Sequence, residues 1–218
     1  MSTNVDNRAL QAPPSGRKGW TTREFDQLVD IGSLPEGGAA YLWNGEIVET
    51  MPENPPHINA VANLLLLLLT RFPPVAWTVN QNAPVELGDD TKPQPDLAVL
   101  AGPRSRFSTR AARASDVALI VEVSDSTYPR DAGERLRKYA SVGISQYWIV
   151  NINALRVEVF TGPTGGVAPS YRERNDFGLG DVVPLRLTVG GVAIDLDGCA
   201  VSDVLRDSLK HDEEGTGR

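Results

Sequence analysis

The chain reads as an α/β protein built on a mixed β-sheet, and three features of the sequence predict it. An Asn-Gly step between apolar runs near residue 45 marks an antiparallel hairpin. Two apolar stretches, 92–100 and 118–123, are followed by a segment of helical period and a third apolar strand at 146–150. Short alternating stretches then fill the rest of the chain to about residue 196. A helix crossing over between buried strands implies a parallel pair and hairpins imply antiparallel ones, so the sheet is mixed.

Taken in order, residues 1–19 are polar and rich in Pro, Gly and Ser, which predicts a disordered leader. Residues 206–218 predict a mobile charged tail, leaving one domain over 20–205. Thr21-Thr22-Arg23-Glu24 has the form of a capping box ahead of Phe25, Leu28 and Val29 at helical spacing. Tyr41-Leu42-Trp43-Asn44-Gly45-Glu46-Ile47-Val48 predicts a hairpin through a type I′ turn, with Glu46 opening its second strand. Pro55-Pro56 ends the extended segment, and 58–72 is long and leucine-rich enough for a buried helix. Stretches 75–81 and 84–87 predict strands leading to the strand that carries Asp96; an arginine-bearing connection, 102–115, leads to the one that carries Glu122. After Pro129 the period becomes 3.6, with Leu136, Tyr139 and Ala140 on one face and Gly143 ending the helix. Beyond the strand at 146–150, 155–160 alternates as a half-exposed strand and 162–169 predicts a loop. Strands near 171–174, 182–189 and 192–196 predict an antiparallel edge.

The 218 residues, 41% of them hydrophobic, suffice for the core of one domain. Cys199 is the only cysteine, which excludes an internal disulfide or a cysteine-based zinc site and fits a reducing cytoplasm. The most apolar run, 58–69, is interrupted by Asn59 and Asn63 and is too short to span a bilayer, so no membrane role is expected. A net charge of −7 excludes coating nucleic acid by bulk electrostatics. Contact with DNA would use a local patch, and Arg104, Arg106, Arg110 and Arg113, with no acid between them, form the candidate; a solvated loop is the alternative.

Asp96 and Glu122 stand where carboxylates are expensive, in apolar strands, and an ionised acid there costs several kcal/mol unless a cation, a metal or dense hydrogen bonding accompanies it. A strand cap and a structural salt bridge would explain them; so would a metal site. On the following helix Asp131, Arg135 and Lys138 fall at i, i+4 and i+7, one stripe that is either a solvated charge ladder or a cation approaching the two acids. Phosphodiester hydrolysis uses such a set: carboxylates hold divalent metal, and a cation stabilises the developing charge. A carboxylate pair would also serve glycoside cleavage, but with 6% aromatic residues the chain is poor in sugar-stacking platforms.

Pro95-Asp96, Glu122-Val123-Ser124-Asp125-Ser126-Thr127, Asp131 with Gly133-Glu134-Arg135-Leu136 and Tyr139-Ala140, and Gly143-Ile144-Ser145-Gln146-Tyr147-Trp148-Ile149-Val150 resemble, in this order, the PD-(D/E)XK nuclease superfamily. Within it they are closest to a restriction endonuclease branch common in bacteria, and the resemblance covers about residues 21–196. It implies a restriction endonuclease-like core, a mixed sheet between helices, and a Mg²⁺ (or Mn²⁺) site built from Asp96 and Glu122. It also implies Glu46 as an accessory acid and His57 near the mouth of the site, touching phosphate or water; an ordinary hairpin acid and a helix-capping histidine are the alternatives. Arg135 or Lys138 would stabilise the phosphate, and two copies would serve to cut both strands of DNA.

The match departs from the superfamily at the lysine. Ser124 occupies its usual place two residues after the second acid, and Arg135 stands where this branch carries it on the following helix. An arginine stabilises phosphate but takes no proton from water near neutral pH. Gln146 and Asn151 also replace acids frequent in the branch. Two functions are therefore expected: a Mg²⁺-dependent DNA endonuclease, or a catalytically degenerate domain serving as a nucleic-acid-binding or protein-interaction module.

Overall fold

The computed structural model describes residues 19–34, 40–50, 52–189 and 192–207; all of the predicted leader but Gly19 and most of the predicted tail lie outside them. The elements run α1 (Thr22–Asp30), β1 (Ala40–Trp43), β2 (Glu46–Glu49), α2 (Pro55–Arg71), β3 (Trp77–Gln81), β4 (Val85–Glu86), β5 (Leu97–Ala101), β6 (Ala112–Arg113), β7 (Val117–Ser124), α3 (Tyr128–Arg130), a π-helical turn (Asp131–Arg135), α4 (Leu136–Ser141), β8 (Gln146–Asn151), β9 (Arg156–Thr164), β10 (Ser170–Gly178), β11 (Val182–Val189), β12 (Val192–Ala200) and α5 (Val201–Val204). The described residues fall into two compact units, one drawn from 19–52 and 84–94 and one from 53–83 and 95–207.

In the first unit, α1 starts at the expected box: the Thr21 hydroxyl accepts from the Glu24 N–H at 3.2 Å, and the Glu24 carboxylate accepts from the Thr21 N–H at 2.9 Å. β1 and β2 pair antiparallel with Trp43 opposite Glu46. Asn44 and Gly45 turn the hairpin at φ 48° and 81°, the two positive values that a type I′ turn requires. Gly45 is also needed for space, since a Cβ there would lie 3.0 Å from Gly19 Cα. Phe25, Trp20 and Leu42 make a small core, and Lys92, largely buried, pairs with Asp26 at 2.6 Å.

The second unit holds a six-stranded sheet in the order β10-β9-β8-β7-β5-β3, with β7 and β8 parallel and the other neighbours antiparallel. The parallel pair arises as expected, because α3, the π turn and α4 carry the chain from β7 to β8. Leu97 and Val99 of β5 and Val121 and Val123 of β7 pack with Ala60, Val61, Leu64 and Leu68 of α2. Alternation along β7 sends Glu122 to the opposite face, toward the crossover helix.

Three expectations are corrected. Pro55 and Pro56 do not precede α2 but begin it; proline is tolerated there because the first helical N–H groups have no partner within the helix, and the Asn54 side chain caps the turn from the His57 N–H at 3.1 Å. The expected loop over 162–169 shrinks to 165–169, because β9 runs to Thr164 and pairs with β10 from Ser170. The segment after Pro129 is not α-helical throughout: Asp131–Arg135 is a π turn, and of the stripe's two readings the buried Asp131 and Arg135 fit the cation beside the acids. Among the described residues no helix is long and apolar enough to cross a membrane.

Candidate active site

The site grows from the β5–β7 register. Leu97 pairs with Val121, so one step further Asp96 comes beside Glu122, and the Val123 N–H donates to Asp96 Oδ2 at 2.6 Å. Asp96 Oδ2 also accepts from His57 Nε2 at 3.2 Å. His57 lies in the first turn of α2, which is tied down because capping Asn54 donates to Asp125 Oδ2 at 2.6 Å. On the other side of the His57 ring, Glu53 Oε2 stands 3.4 Å from Nδ1. Glu53, His57 and Asp96 each bring one ligating atom within 4.8 Å of the others.

Glu122 is buried and both its oxygens are occupied. Oε1 accepts from the Tyr139 hydroxyl at 2.6 Å, and Oε2 is ion-paired with Arg135 Nη1. Asp131 is buried beside them: its Oδ2 accepts from Ser124 Oγ at 2.8 Å and Thr127 Oγ1 at 2.6 Å. Its Oδ1 faces Arg135 Nε at 3.6 Å and Arg130 Nε at 3.7 Å. The Tyr147 hydroxyl donates to the Asp131 carbonyl at 3.1 Å and holds the π turn to β8.

These surroundings set the charges. Burial pushes the Glu122 carboxyl up to about 8; Arg135 pulls it back, the charges of Asp96 and Asp131 add to the rise, and the Tyr139 hydrogen bond opposes it. Burial likewise raises the Tyr139 and Tyr147 hydroxyls well above the ordinary phenol value, so both stay protonated donors. For His57, burial lowers the pKa, but the hydrogen bond and charge of Asp96, with the charges of Glu53 and Glu122, outweigh it and the net shift is upward.

The fold thus brings Asp96, Glu122, Arg135 and His57 into one cluster. Lys138 is half-buried on α4 three residues beyond Arg135. Glu46 belongs to the other compact unit, where it is exposed at the start of β2. Arg104, Arg106 and Arg113 are exposed, and Asp116 engages Arg106 and Arg110 at 3.1 Å and 2.8 Å. Asp116 is buried and also accepts from the Arg113 N–H at 3.0 Å. The Arg110 hydrogen bond is the main cause of its lowered pKa. Sequence reading missed Glu53, a lone acid in a proline-rich turn, and the supporting hydroxyls of Ser124, Thr127 and Tyr139. For Ser124 a signal existed: a small hydroxyl in the place of the superfamily lysine, within hydrogen-bonding distance of an acid on the next helix.

Residues 22–197 match the Uma2 family, described as "Putative restriction endonuclease". The chain belongs to the Uma2 family. The Uma2 match spans both compact units and every site residue named above. A solved structure with the same fold is titled as a "putative nuclease belonging to DUF820" from Anabaena variabilis; it is 14% identical with a TM-score of 0.58, over 87% of this chain and 99% of that one. No curated protein matches the chain. The Uma2 assignment and this fold place the chain among restriction endonuclease-like nucleases, a superfamily that uses divalent metal.

Arg135 and Arg130 oppose Glu122 and Asp131, whereas among the described residues the only oppositely charged partner of Glu53 and Asp96 is His57. Asp96 therefore fits a divalent cation. Glu122 would share its oxygens with Tyr139 and Arg135.

Proposed function

We propose that this Uma2 domain is a divalent-metal-dependent endonuclease that hydrolyses phosphodiester bonds of DNA. The observation that supports the reading is the convergence of Asp96, Glu122 and Arg135 at one end of the β5–β7 pair. A bound Mg²⁺ or Mn²⁺ would polarise the phosphoryl oxygen and lower the pKa of a water. Asp96 would hold that ion, and the Val123 N–H fixes its carboxylate in place. Arg135 pairs with Glu122 and faces Asp131, which lowers the negative charge that a polyanion meets at this end of the sheet. It stays protonated and serves as no general base. Lys138 and the exposed Arg104, Arg106 and Arg113 are the cations assigned to phosphate. A glutamate already engaged by Tyr139 and Arg135 also favours a second reading, a domain that binds nucleic acid without cutting it.

Supercoiled plasmid separates the two. Wild-type protein should nick it with Mn²⁺ or Mg²⁺, and Asp96→Asn should lose at least a hundredfold in rate. Retardation of the plasmid with no nicking under either ion would leave the binding module as the function.

A further inference from the structure

We propose that a cleft beside the π turn binds one unpaired nucleotide of the substrate strand. The cleft, of about 430 Å³, lies within the larger unit, between the π turn and α4 on one side and β9 and β10 on the other. Gly133, Leu136, Arg137, Phe160, Ala168 and Arg174 are among its walls. Its volume falls in the range of sites that take a single small molecule, roughly 300–1,000 Å³. Charge selects an anion: the chain carries a net −7, yet both charged residues in the walls are arginines. Arg174 is already engaged, since Nε and Nη2 donate to Asp176 at 2.7 Å and 2.9 Å and Nη2 stands 3.1 Å from the buried Glu158. Arg137 is exposed and, among the described residues, has no ion pair or hydrogen bond. It is the group left for a phosphate.

The same walls suit a base. Arg174 Cζ stands 5.6 Å from the centre of the Phe160 ring, so the ring covers one face of a guanidinium whose edge is held by two carboxylates. A guanidinium fixed in this way offers its other face for stacking, and Leu136 adds an apolar wall; unstacked bases settle on arginine planes and aromatic rings. An acidic peptide would use Arg137 but brings no planar group to the Arg174–Phe160 stack. A base within a duplex has both faces covered by its neighbours, so entry requires a nucleotide that is unpaired or drawn out of the helix. The π turn joins the cleft to the acids: Asp131 and Arg135 face inward with Glu122, while Gly133, and Arg137 just beyond the turn, border the cleft. The inference rests on the nuclease reading for the source of the nucleotide and on the cleft's own walls for its recognition.

The test is fluorescence anisotropy of the full chain with a short labelled single strand and with the blunt duplex of the same sequence, chelator being present to prevent cleavage. Wild-type protein should bind the single strand at least fivefold more tightly than the duplex. Gly133→Leu fills the cleft, since a Cβ there meets nothing within 4 Å, and Ala168→Leu narrows it from the opposite wall. Both filling variants, checked by circular dichroism for folding, should hold duplex binding within about twofold of wild type and lose the preference for the single strand. Arg137→Ala should weaken single-strand binding at least fivefold. Equal binding of strand and duplex by wild type, or a preference that survives both filling variants, would overturn the proposal. Poly-glutamate displacing the strand as readily as unlabelled strand does would overturn it too, in favour of an acidic peptide. Free deoxyadenosine monophosphate binding as tightly as the strand would give the cleft to a free nucleotide and overturn the assignment to the substrate strand. Plasmid nicking with Mn²⁺ is scored separately: nicking without strand preference removes the cleft assignment and leaves the nuclease reading standing, whereas strand preference without nicking does the reverse.

Discussion

Replacing Arg135 by methionine tests whether the buried Glu122–Arg135 pair organises the site. Glu122 is 2% exposed and its Oε2 is paired with Arg135, so the substitution strips the cation from a carboxylate that water does not reach. Removing one member of such a pair costs about 3–5 kcal/mol when the survivor stays charged. The loss depends on pH, because burial has raised Glu122 from its ordinary 4.5 to about 8. A carboxyl whose folded pKa exceeds its unfolded one binds more protons folded, so wild-type stability falls as pH rises from 4.5 through about 8. Removing Arg135 raises the folded value further and prolongs the fall. At pH 6 the folded carboxyl keeps its proton in both proteins and only hydrogen bonds are lost, roughly 1–3 kcal/mol. At pH 9 the wild-type pair is ionised and the full penalty applies. Urea unfolding at both pH values, with chelator present, measures this. Adding Glu122→Gln removes the charge while keeping an acceptor for Tyr139, so the double variant should recover on the order of 2 kcal/mol at pH 9, within the range for coupled neighbours. Equal losses at the two pH values, or strict additivity in the double variant, would refute the reasoning.

Three further outcomes are expected. Asp116→Asn should destabilise by roughly 1–3 kcal/mol at pH 7, since Arg110 and the Arg113 N–H lose a charged acceptor. Because the folded pKa of Asp116 lies below 3.8, the wild-type advantage is full above that value and vanishes as acid titration passes through the folded pKa, which unfolding curves from pH 7 to pH 2 would show. Leu64→Ala removes a fully buried side chain from the centre of α2 and should cost about 2–5 kcal/mol by calorimetry, so a loss under 1 kcal/mol would contradict the described core. Gly45→Ala must hold φ 81° with its Cβ 3.0 Å from Gly19 Cα, and should cost at least roughly 1–2 kcal/mol, read as a lower urea midpoint.

Much of the fold was legible because its signals are local. The Thr21–Glu24 box and the Asn44-Gly45 turn each depend on a few adjacent residues, and both form as read. The strands of Asp96 and Glu122 were legible from apolar runs. The π turn was not, since the residues that hold it, Ser124, Thr127 and Tyr147, act through contacts that no periodicity records. Arg104 to Arg113 read as a run without acids, yet Asp116, three residues past Arg113, folds back onto two of the four. Asp96 was legible as a candidate ligand, while Glu53 was not. Its four-residue spacing from His57 gains meaning only when the β5–β7 register brings Asp96 to the same ring.

The central claim, metal-dependent cleavage of DNA from Asp96, is tested most directly by treating wild-type protein with chelator and following a supercoiled plasmid as Mn²⁺ is restored. The account predicts no nicking before the metal, nicking after it, and none at any Mn²⁺ concentration in Asp96→Asn. Nicking that survives chelation, or an Asp96→Asn protein as active as wild type, would contradict it.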